Sequence, residues 1–483
     1  MTEPRFALPG MLVDGAWESV GEKGQFEVRA PYDGSLVAAV PAGGPADVDR
    51  AVIAARNALA RDDFARTDRI RVLEQASAAL NDRREDFATA IALESAKPIK
   101  TARVEAARAA ETFAFAAAEA RRLAGEVVPM DASPAGAGKT AFTLRVPVGV
   151  VAAISPFNFP LNLVAHKLAP AIAAGCPVVL KPASQTPVSA LLLAELLHGL
   201  GVPAGWLNVV TGGGGTVGDA LATHPDVAYV TFTGSSEVGW ALVAKAPRTK
   251  VRLELGSNSP LIVDASGDWE TAAAKASVAG FSHAGQSCIS TQRIFVHEDI
   301  ADDFVSALVT RVEGLRVGDP MDEHTDVSSL ISAGETERME QWVKEAVEAG
   351  GKVLTGGEAE HLPGGVVFRP TVIEGMPATA KVQCEEVFGP IVTITRFTSF
   401  DDALAQANDS RYGLQAGVYT AEIAKALQAA KTLSFGGVLI NEVPTSRSDQ
   451  QPYGGVRDSG NTREGPAYAI EEMTEIRLIT LQP

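Results

Sequence analysis

Three side chains in this sequence stand where chemistry is possible: a cysteine among small residues, a glutamate inside an apolar strand, and an asparagine between prolines. Cys288 ends the run Gly285-Gln286-Ser287-Cys288, whose glycine and small polar neighbours leave room for a ligand. A thiol attacks as thiolate, so it needs a local field, from a helix N-terminus or a bound cation, to lower its ordinary pKa of about 8.5. Cys176, beside an apolar strand, and Cys384, before an acidic pair, read as small buried hydrophobes. Taken alone, Cys288 is open to the same reading. An acyl group on sulfur must be released by water, which calls for a general base. Glu254 in Val251-Arg252-Leu253-Glu254-Leu255-Gly256 is the candidate, because a carboxylate in such a strand is costly without a role or a partner. A solvent-facing glutamate, or one paired with Arg252, remains the plain alternative. Asn158, in Ser155-Pro156-Phe157-Asn158-Phe159-Pro160, offers an amide donor on a backbone restrained by prolines and aromatics. A tetrahedral intermediate needs such a preorganised donor, worth about 2.7–4 kcal/mol in known oxyanion holes. An ordinary turn would also use an asparagine there.

A second group of residues suits a phosphorylated cofactor. Phe232-Thr233-Gly234-Ser235-Ser236-Glu237-Val238-Gly239 follows a strand pattern and opens a helix, so its free amides can face a pyrophosphate. Lys181, at the end of an apolar strand in Lys181-Pro182-Ala183-Ser184, can reach a ribose or phosphate. Residues 212–215 are glycines but lack the Lys-Ser/Thr of a P-loop, and read as a flexible connection.

These residues need elements to hold them. Apolar spacing predicts helices over residues 47–61, 68–96 and 99–123, followed by Pro/Gly/Ala punctuation at 130–138. β-Branched runs then alternate with helical stretches at 146–154, 178–180, 207–210, 229–232, 251–255 and 260–263. A second series lies at 293–297, 366–372, 391–397, 415–419 and 437–441, with a helix over 335–348. That rhythm predicts two α/β units with largely parallel sheets. The chain has 483 residues, more than one core usually supports.

The net charge of −17 disfavours nucleic acid or an anionic membrane as partner. Three cysteines make no disulfide framework, and no apolar run reaches the roughly 20 residues of a membrane span. With no secretory signal in the first residues, the chain reads as cytoplasmic. No metal-ligand spacing stands out.

Taken in order, stretches 155–161, 181–187, 232–239, 253–256, 285–290, 385–390 and 452–465 closely resemble the aldehyde dehydrogenase superfamily. The interval of 34 residues from Glu254 to Cys288 agrees with it. The resemblance implies a Rossmann-like cofactor domain (1–124 and 147–254), an α/β catalytic domain (255–456), and a bridging β-arm with the C-terminal segment (125–146 and 457–483). It implies a homodimer or homotetramer. It makes Cys288 the nucleophile toward an aldehyde, Asn158 and the Cys288 amide the oxyanion donors, and Glu254 the base that hydrolyses the thioester. NAD+ or NADP+ would lie against Ser155, Pro156, Lys181, Ser184, Gly234 and Ser235, with Glu386 on the nicotinamide ribose and Phe388 near the ring.

Departures from the family pattern bear on specificity. Strictly NAD+-using members carry a glutamate where this chain has Ser184, so NADP+ should be admitted. Arg457 stands for a commoner lysine. On the substrate side stand Phe159, Asn162, Leu163 and His166; the two polar ones disfavour a purely alkyl substrate. Succinic semialdehyde enzymes carry an arginine at the position of His166. The segment 441–447 resembles members acting on small polar or anionic aldehydes such as lactaldehyde or glycolaldehyde, with Arg108, Arg293 and Arg447 as candidate contacts. The competing readings are a succinic semialdehyde enzyme, a CoA-acylating enzyme, which generally lacks the glutamate at 254, and an idle structural homologue.

Overall fold

The computed structural model describes residues 4–482. Its first sheet runs in the order Lys250–Glu254, Val227–Thr233, Val150–Ile154, Val178–Lys181, Leu207–Val209, Met11–Val13, Ala16–Glu18. The first five strands are parallel; the last two form an antiparallel hairpin at the edge. Val150–Ile154 and Val178–Lys181 are buried along their whole length, as strands covered on both faces by helices must be. The hairpin was not foreseen, although Asp14-Gly15, both at positive φ (50° and 78°), is the turn such a hairpin requires.

The second sheet has the order Lys352–Thr355, Thr371–Glu374, Ile391–Phe397, Arg293–His297, Pro260–Val263, Gln415–Tyr419, Gly437–Ile440. Only its first strand is antiparallel. A three-stranded antiparallel sheet of Val127–Val128, Thr140–Pro147 and Thr474–Leu481 stands apart from both. From the segment 457–483 this arm takes only the last strand. The helix Pro466–Glu472 instead packs on helices Ile99–Arg122 and Asn162–Ala174 beside the first sheet.

Three expected elements divide. The run 146–154 splits into Thr140–Pro147, in the arm, and Val150–Ile154, in the first sheet. Pro147 lacks a donor, and Gly149 (φ 135°) sits where a Cβ would come within 2.7 Å of the Ala228 Cβ. The helix expected over 68–96 is two, Arg66–Asp82 and Arg84–Ser95, broken at Arg83 (φ −101°, ψ 21°) after the weak helix formers Asn81 and Asp82. The break turns Leu80 and Phe87 both into the core. Pro370 likewise divides 366–372 into Gly365–Phe368 and Thr371–Glu374.

The consequence for function is positional. Ile154, Lys181, Thr233 and Glu254 end four adjacent parallel strands, so the segments that follow open on one edge, where α/β sheets present ligand sites.

Candidate active site

A cleft of about 570 Å³ lies along that edge. Its lining includes Ser155, Pro156, Asn158, Lys181, Ser184, Gly234, Ser235, Glu254, Cys288, Glu386 and Phe388. Two sheets and several loops thus bring every proposed catalytic and cofactor residue to one surface.

Cys288 reaches it on a loop of unusual conformation. His283, Ala284 and Gly285 have φ of 51°, 54° and 69°, three successive left-handed residues. A Cβ at Gly285 would lie 2.1 Å from the Gly389 carbonyl oxygen, so the loop is wound tightly against the neighbouring chain. Gln286 anchors it, its Oε1 accepting from the Ile331 amide at 3.0 Å. The half-buried Cys288 sulfur lies 2.9 Å from the Tyr453 hydroxyl. Desolvation pushes the thiol up to about 12, opposed by the Tyr453 hydrogen bond and the Arg447 charge.

Asn158 is held from both sides. Its Nδ2 donates to the Gln286 carbonyl at 3.0 Å, within the cysteine loop, and leaves a second amide proton for a ligand. Its own carbonyl accepts from Lys97 Nζ at 2.7 Å. Lys97 is fully buried, pairs with Glu105, and stands 3.7 Å over the Phe159 ring. Glu105 also accepts from the Leu161 and Asn162 amides (3.0 and 3.2 Å), satisfying free donors at the start of helix Asn162–Ala174.

Glu254 is buried, and neither carboxylate oxygen has a partner among the described residues. The expected alternative, pairing with Arg252, does not occur, because Arg252 binds Glu472 at 3.0 Å. Burial and the negative charge of Glu464 raise Glu254 well above the ordinary carboxylate range. Glu464 is the ionised member of the two, touching Arg447 at 2.9 Å and lying 3.8 Å from Lys167.

At the other end of the cleft, Ser235 caps helix Ser236–Lys245, its Oγ accepting from the Val238 amide at 3.4 Å. Among the described residues Lys181 Nζ donates only to the adjacent Pro182 carbonyl (2.8 Å), and burial lowers it to about 8. Ser184 Oγ donates to the Gly212 carbonyl at 2.7 Å. Glu386 accepts from the Ser257 amide at 2.9 Å and lies against Gly256, where a Cβ would come within 2.1 Å of it. Burial raises Glu386 to about 7. Phe388 (φ 47°) meets Phe157 edge-on at 5.7 Å.

The chain is similar to known proteins throughout. Residues 17–479 match the aldehyde dehydrogenase family. The chain belongs to that family. It is 46% identical to the 3-sulfolactaldehyde dehydrogenase of Priestia aryabhattai over 98% of each chain. It is 37% identical to the NADP+ succinate-semialdehyde dehydrogenase of Escherichia coli over 97% of each. The betaine aldehyde dehydrogenase of Staphylococcus aureus, solved with NAD+, superposes with a TM-score of 0.94 at 32% identity, over 98% of this chain and 95% of that one.

As an aldehyde dehydrogenase the chain is an NAD(P)+-dependent enzyme that oxidises an aldehyde to a carboxylic acid. The cleft suits such a cofactor. It presents a buried ammonium bound to a neighbouring carbonyl, a helix N-terminus, the buried Ser155 Oγ, which has no partner among the described residues, and the Glu386 carboxylate.

Of the expected substrate-side residues Leu163 lines this cleft, and the others fall elsewhere. Arg108 and Arg447 line a second cavity of about 370 Å³ with Ser448, Asp449 and Gln450, and Arg447 is joined to Cys288 through Tyr453. His166 does not face the cleft; it is buried against Asp449 (2.9 Å) and Arg447 (3.2 Å). Asn162 also donates to Asp449, at 3.1 Å. Phe159 packs between Lys97 and His283. Arg293 is not brought to either cavity: it is buried and donates to the carbonyls of Asn258, Gln406 and Ala407.

Sequence reasoning passed over Lys97, Glu105, Lys167, Glu464 and Tyr453. Glu105 carried a legible signal: it shares the buried helix face of Ala102, Ala106 and Ala109, where a charge needs a partner.

Proposed function

We propose that Cys288 is the nucleophile, Asn158 Nδ2 and the Cys288 amide are the oxyanion donors, and Glu254 is the base of a hydrolytic reaction. The observation that carries this reading is the meeting, in one cleft, of a half-buried thiol, a spare amide donor and a carboxylate with no partner among the described residues. The Cys288 thiolate attacks the aldehyde carbon; a C–S bond forms, and the carbonyl π pair moves to oxygen, facing the two donors. A bound NAD(P)+ would supply the acceptor for the hydride leaving the former aldehyde carbon, and Cys288 would then hold the acyl group as a thioester. Glu254 removes a proton from water as its oxygen attacks the thioester. The C–S bond then breaks, the pair returns to sulfur, and the acid leaves. Lys181, Ser184 and Ser235 would hold the adenosine and phosphate end of the cofactor, and Glu386 its nicotinamide ribose. Ser184 in place of a carboxylate favours a 2′-phosphate, hence NADP+ or dual use.

The substrate is a small hydroxy-aldehyde bearing an anionic group, of the sulfolactaldehyde kind. The support is the 46% identity to a 3-sulfolactaldehyde dehydrogenase together with Arg447, whose buried Nε has no partner among the described residues; Arg108 beside it is already held by Asp449 at 2.8 and 3.0 Å. We also assign residues 1–124 and 147–254 to a cofactor-binding domain, which contributes Asn158 and Glu254 to the site, and 255–456 to a catalytic domain that carries Cys288. Assembly into a dimer or tetramer is assigned to the arm, whose Val127, Leu144, Ile476, Leu478 and Leu481 are exposed. None of the helices among the described residues is long and apolar enough to cross a membrane; a cytoplasmic location belongs to this proposal.

The test is reduced-nicotinamide absorbance with purified protein and an aldehyde panel, NAD+ and NADP+ in parallel, without CoA. Turnover fastest with small anionic hydroxy-aldehydes and NADP+ is the expected result. A preference for long alkyl aldehydes by kcat/KM defeats the substrate assignment. Turnover only on adding CoA defeats the hydrolytic one.

A further inference from the structure

Tyr453 occupies the bridge that it forms with Glu464, the two residues exchanging backbone hydrogen bonds of 3.1 and 2.6 Å just before Gly454-Gly455. Its ring is buried with Ile289 and Leu414. A phenylalanine would fill that space equally well. The hydroxyl is the feature to be explained, since a buried hydroxyl costs free energy unless it finds a partner. Its one side-chain hydrogen-bond partner among the described residues is Cys288 Sγ at 2.9 Å. A thiol is a weak partner, whereas a thiolate is a strong, charged acceptor. The guanidinium of Arg447 lies 3.8 Å from the centroid of the same ring. A cation over the ring makes the phenol a better donor and a poorer acceptor, which orients the bond from oxygen to sulfur. Glu464 holds Arg447 there at 2.9 Å.

We propose that Tyr453 is a further catalytic residue, its hydroxyl donating a hydrogen bond to the Cys288 thiolate, and that Arg447 is the positioning residue that fixes this donor. This rests on the reading of Cys288 as nucleophile. Tyr453 keeps its proton throughout. On attack, the sulfur lone pair that accepted the bond becomes the C–S bond. When the thioester is hydrolysed, the pair returns to sulfur and the hydrogen bond re-forms, so the tyrosine stabilises the nucleophile before the attack and the leaving thiolate after hydrolysis.

The experiment is the pH dependence of Cys288 alkylation by iodoacetamide, read on its own peptide by mass spectrometry so that Cys176 and Cys384 do not contribute. In Tyr453→Phe the inflection should rise by about one to two units, as expected for losing a hydrogen bond to a charged group. Alkylation near neutral pH should then slow about 10- to 100-fold and recover at high pH. Steady-state turnover should follow the same profile, a recovery that a merely structural defect would not give. Arg447→Met should move the inflection the same way by a smaller step, and an unmoved profile removes Arg447 from the proposal. Should Tyr453→Phe fail to fold, 3-fluorotyrosine at position 453 keeps the whole contact set, and its more acidic phenol must lower the inflection. An unmoved inflection in the phenylalanine variant overturns the proposal. A lowered one overturns it too, since the tyrosine would then be accepting from the thiol. The two readings fail separately: retained turnover in Cys288→Ala defeats the nucleophile, while an unmoved Tyr453→Phe profile defeats only the tyrosine.

Discussion

The Lys97–Glu105 pair offers the sharpest test of how this fold holds its asparagine. Both side chains are buried, and between them they bind the Asn158 carbonyl at one end of a short segment and the Leu161 and Asn162 amides at the other. Glu105→Gln keeps the shape and removes the charge. The buried ammonium then faces the Asn158 carbonyl, the Phe159 ring and a neutral amide with no counter-charge from position 105, and breaking such a pair costs about 3–5 kcal/mol. An independent limit agrees: taking a lysine of ordinary pKa about 10.4 to its neutral form at pH 7 costs about 4.6 kcal/mol. At about 2.1 cal/mol/K per residue, the unfolding entropy of 483 residues is about 1 kcal/mol/K, so Tm should fall by about 3–5 °C. Loss of Asn158 alignment should lower kcat by up to about 10²–10³-fold, the worth of one oxyanion donor. The decisive comparison is the double variant Lys97→Met/Glu105→Leu, measured by thermal unfolding and by steady-state rates. Replacing a buried pair with apolar residues removes the unpaired charge, but the Asn158 carbonyl loses its donor and the Leu161 and Asn162 amides lose their acceptor. Stability should therefore return only in part while kcat stays low. A double variant with full kcat would refute the idea that this pair aligns Asn158.

Three further outcomes follow from the cleft. Glu254→Gln should release a burst of reduced cofactor and then stall with the acyl group on Cys288, steady-state turnover falling about 10²–10⁴-fold; an unchanged steady state moves the base elsewhere. Ser184→Glu should lower kcat/KM for NADP+ at least tenfold while sparing NAD+, since two charges in contact repel by about 4 kcal/mol at an effective dielectric of 20; equal effects on both cofactors would take the 2′-phosphate away from this corner. Glu386, raised to about 7, accepts ribose hydroxyls best when ionised, and Lys181, lowered to about 8, binds phosphate best when protonated. Cofactor affinity by calorimetry should thus rise through about pH 7 and fall above about pH 8, and Glu386→Gln should flatten only the lower limb.

The residues at strand ends were legible because one-dimensional signals sufficed. An apolar run followed by Ser155-Pro156 or Thr233-Gly234 announces a parallel strand opening onto a loop, and Glu254 stood out as a charge inside such a run. Packing decides what the pattern left open. Nothing in the helix pattern told whether Asn162 and His166 face a ligand or one another's neighbours, and the answer lies in Asp449, which is 283 residues from His166. Arg293 was misjudged for the same reason: an arginine can be wholly occupied by backbone carbonyls, and that is visible only once the strand Arg293–His297 is placed beside Asn258 and Ala407. The breaks at Arg83 and Gly149 belong to a third kind, in which a local signal was present but was outweighed by the apolar residues around it.

The base carries a consequence for pH that the cleft alone would not suggest. Both Glu254 oxygens are buried without a partner among the described residues, whereas Glu464 touches Arg447 and has Lys167 nearby, so the negative charge sits on Glu464 and the proton on Glu254. A base works ionised, and burial together with Glu464 raises Glu254 above its ordinary 4.5. Thioester hydrolysis should therefore gain with rising pH well past the range of an ordinary carboxylate. The neighbours set the sign of each perturbation. Glu464→Gln removes the negative charge and leaves Arg447 and Lys167 in place, so the acid limb of the hydrolysis rate should move to lower pH. Lys167→Met removes a positive charge and should move it to higher pH, each by about one unit or more. Two opposite shifts from one cluster cannot come from general loosening of the fold, which would lower the rate without ordering the limbs. If both variants shift the limb in the same direction, or neither moves it, the ionisation that limits hydrolysis is not that of Glu254.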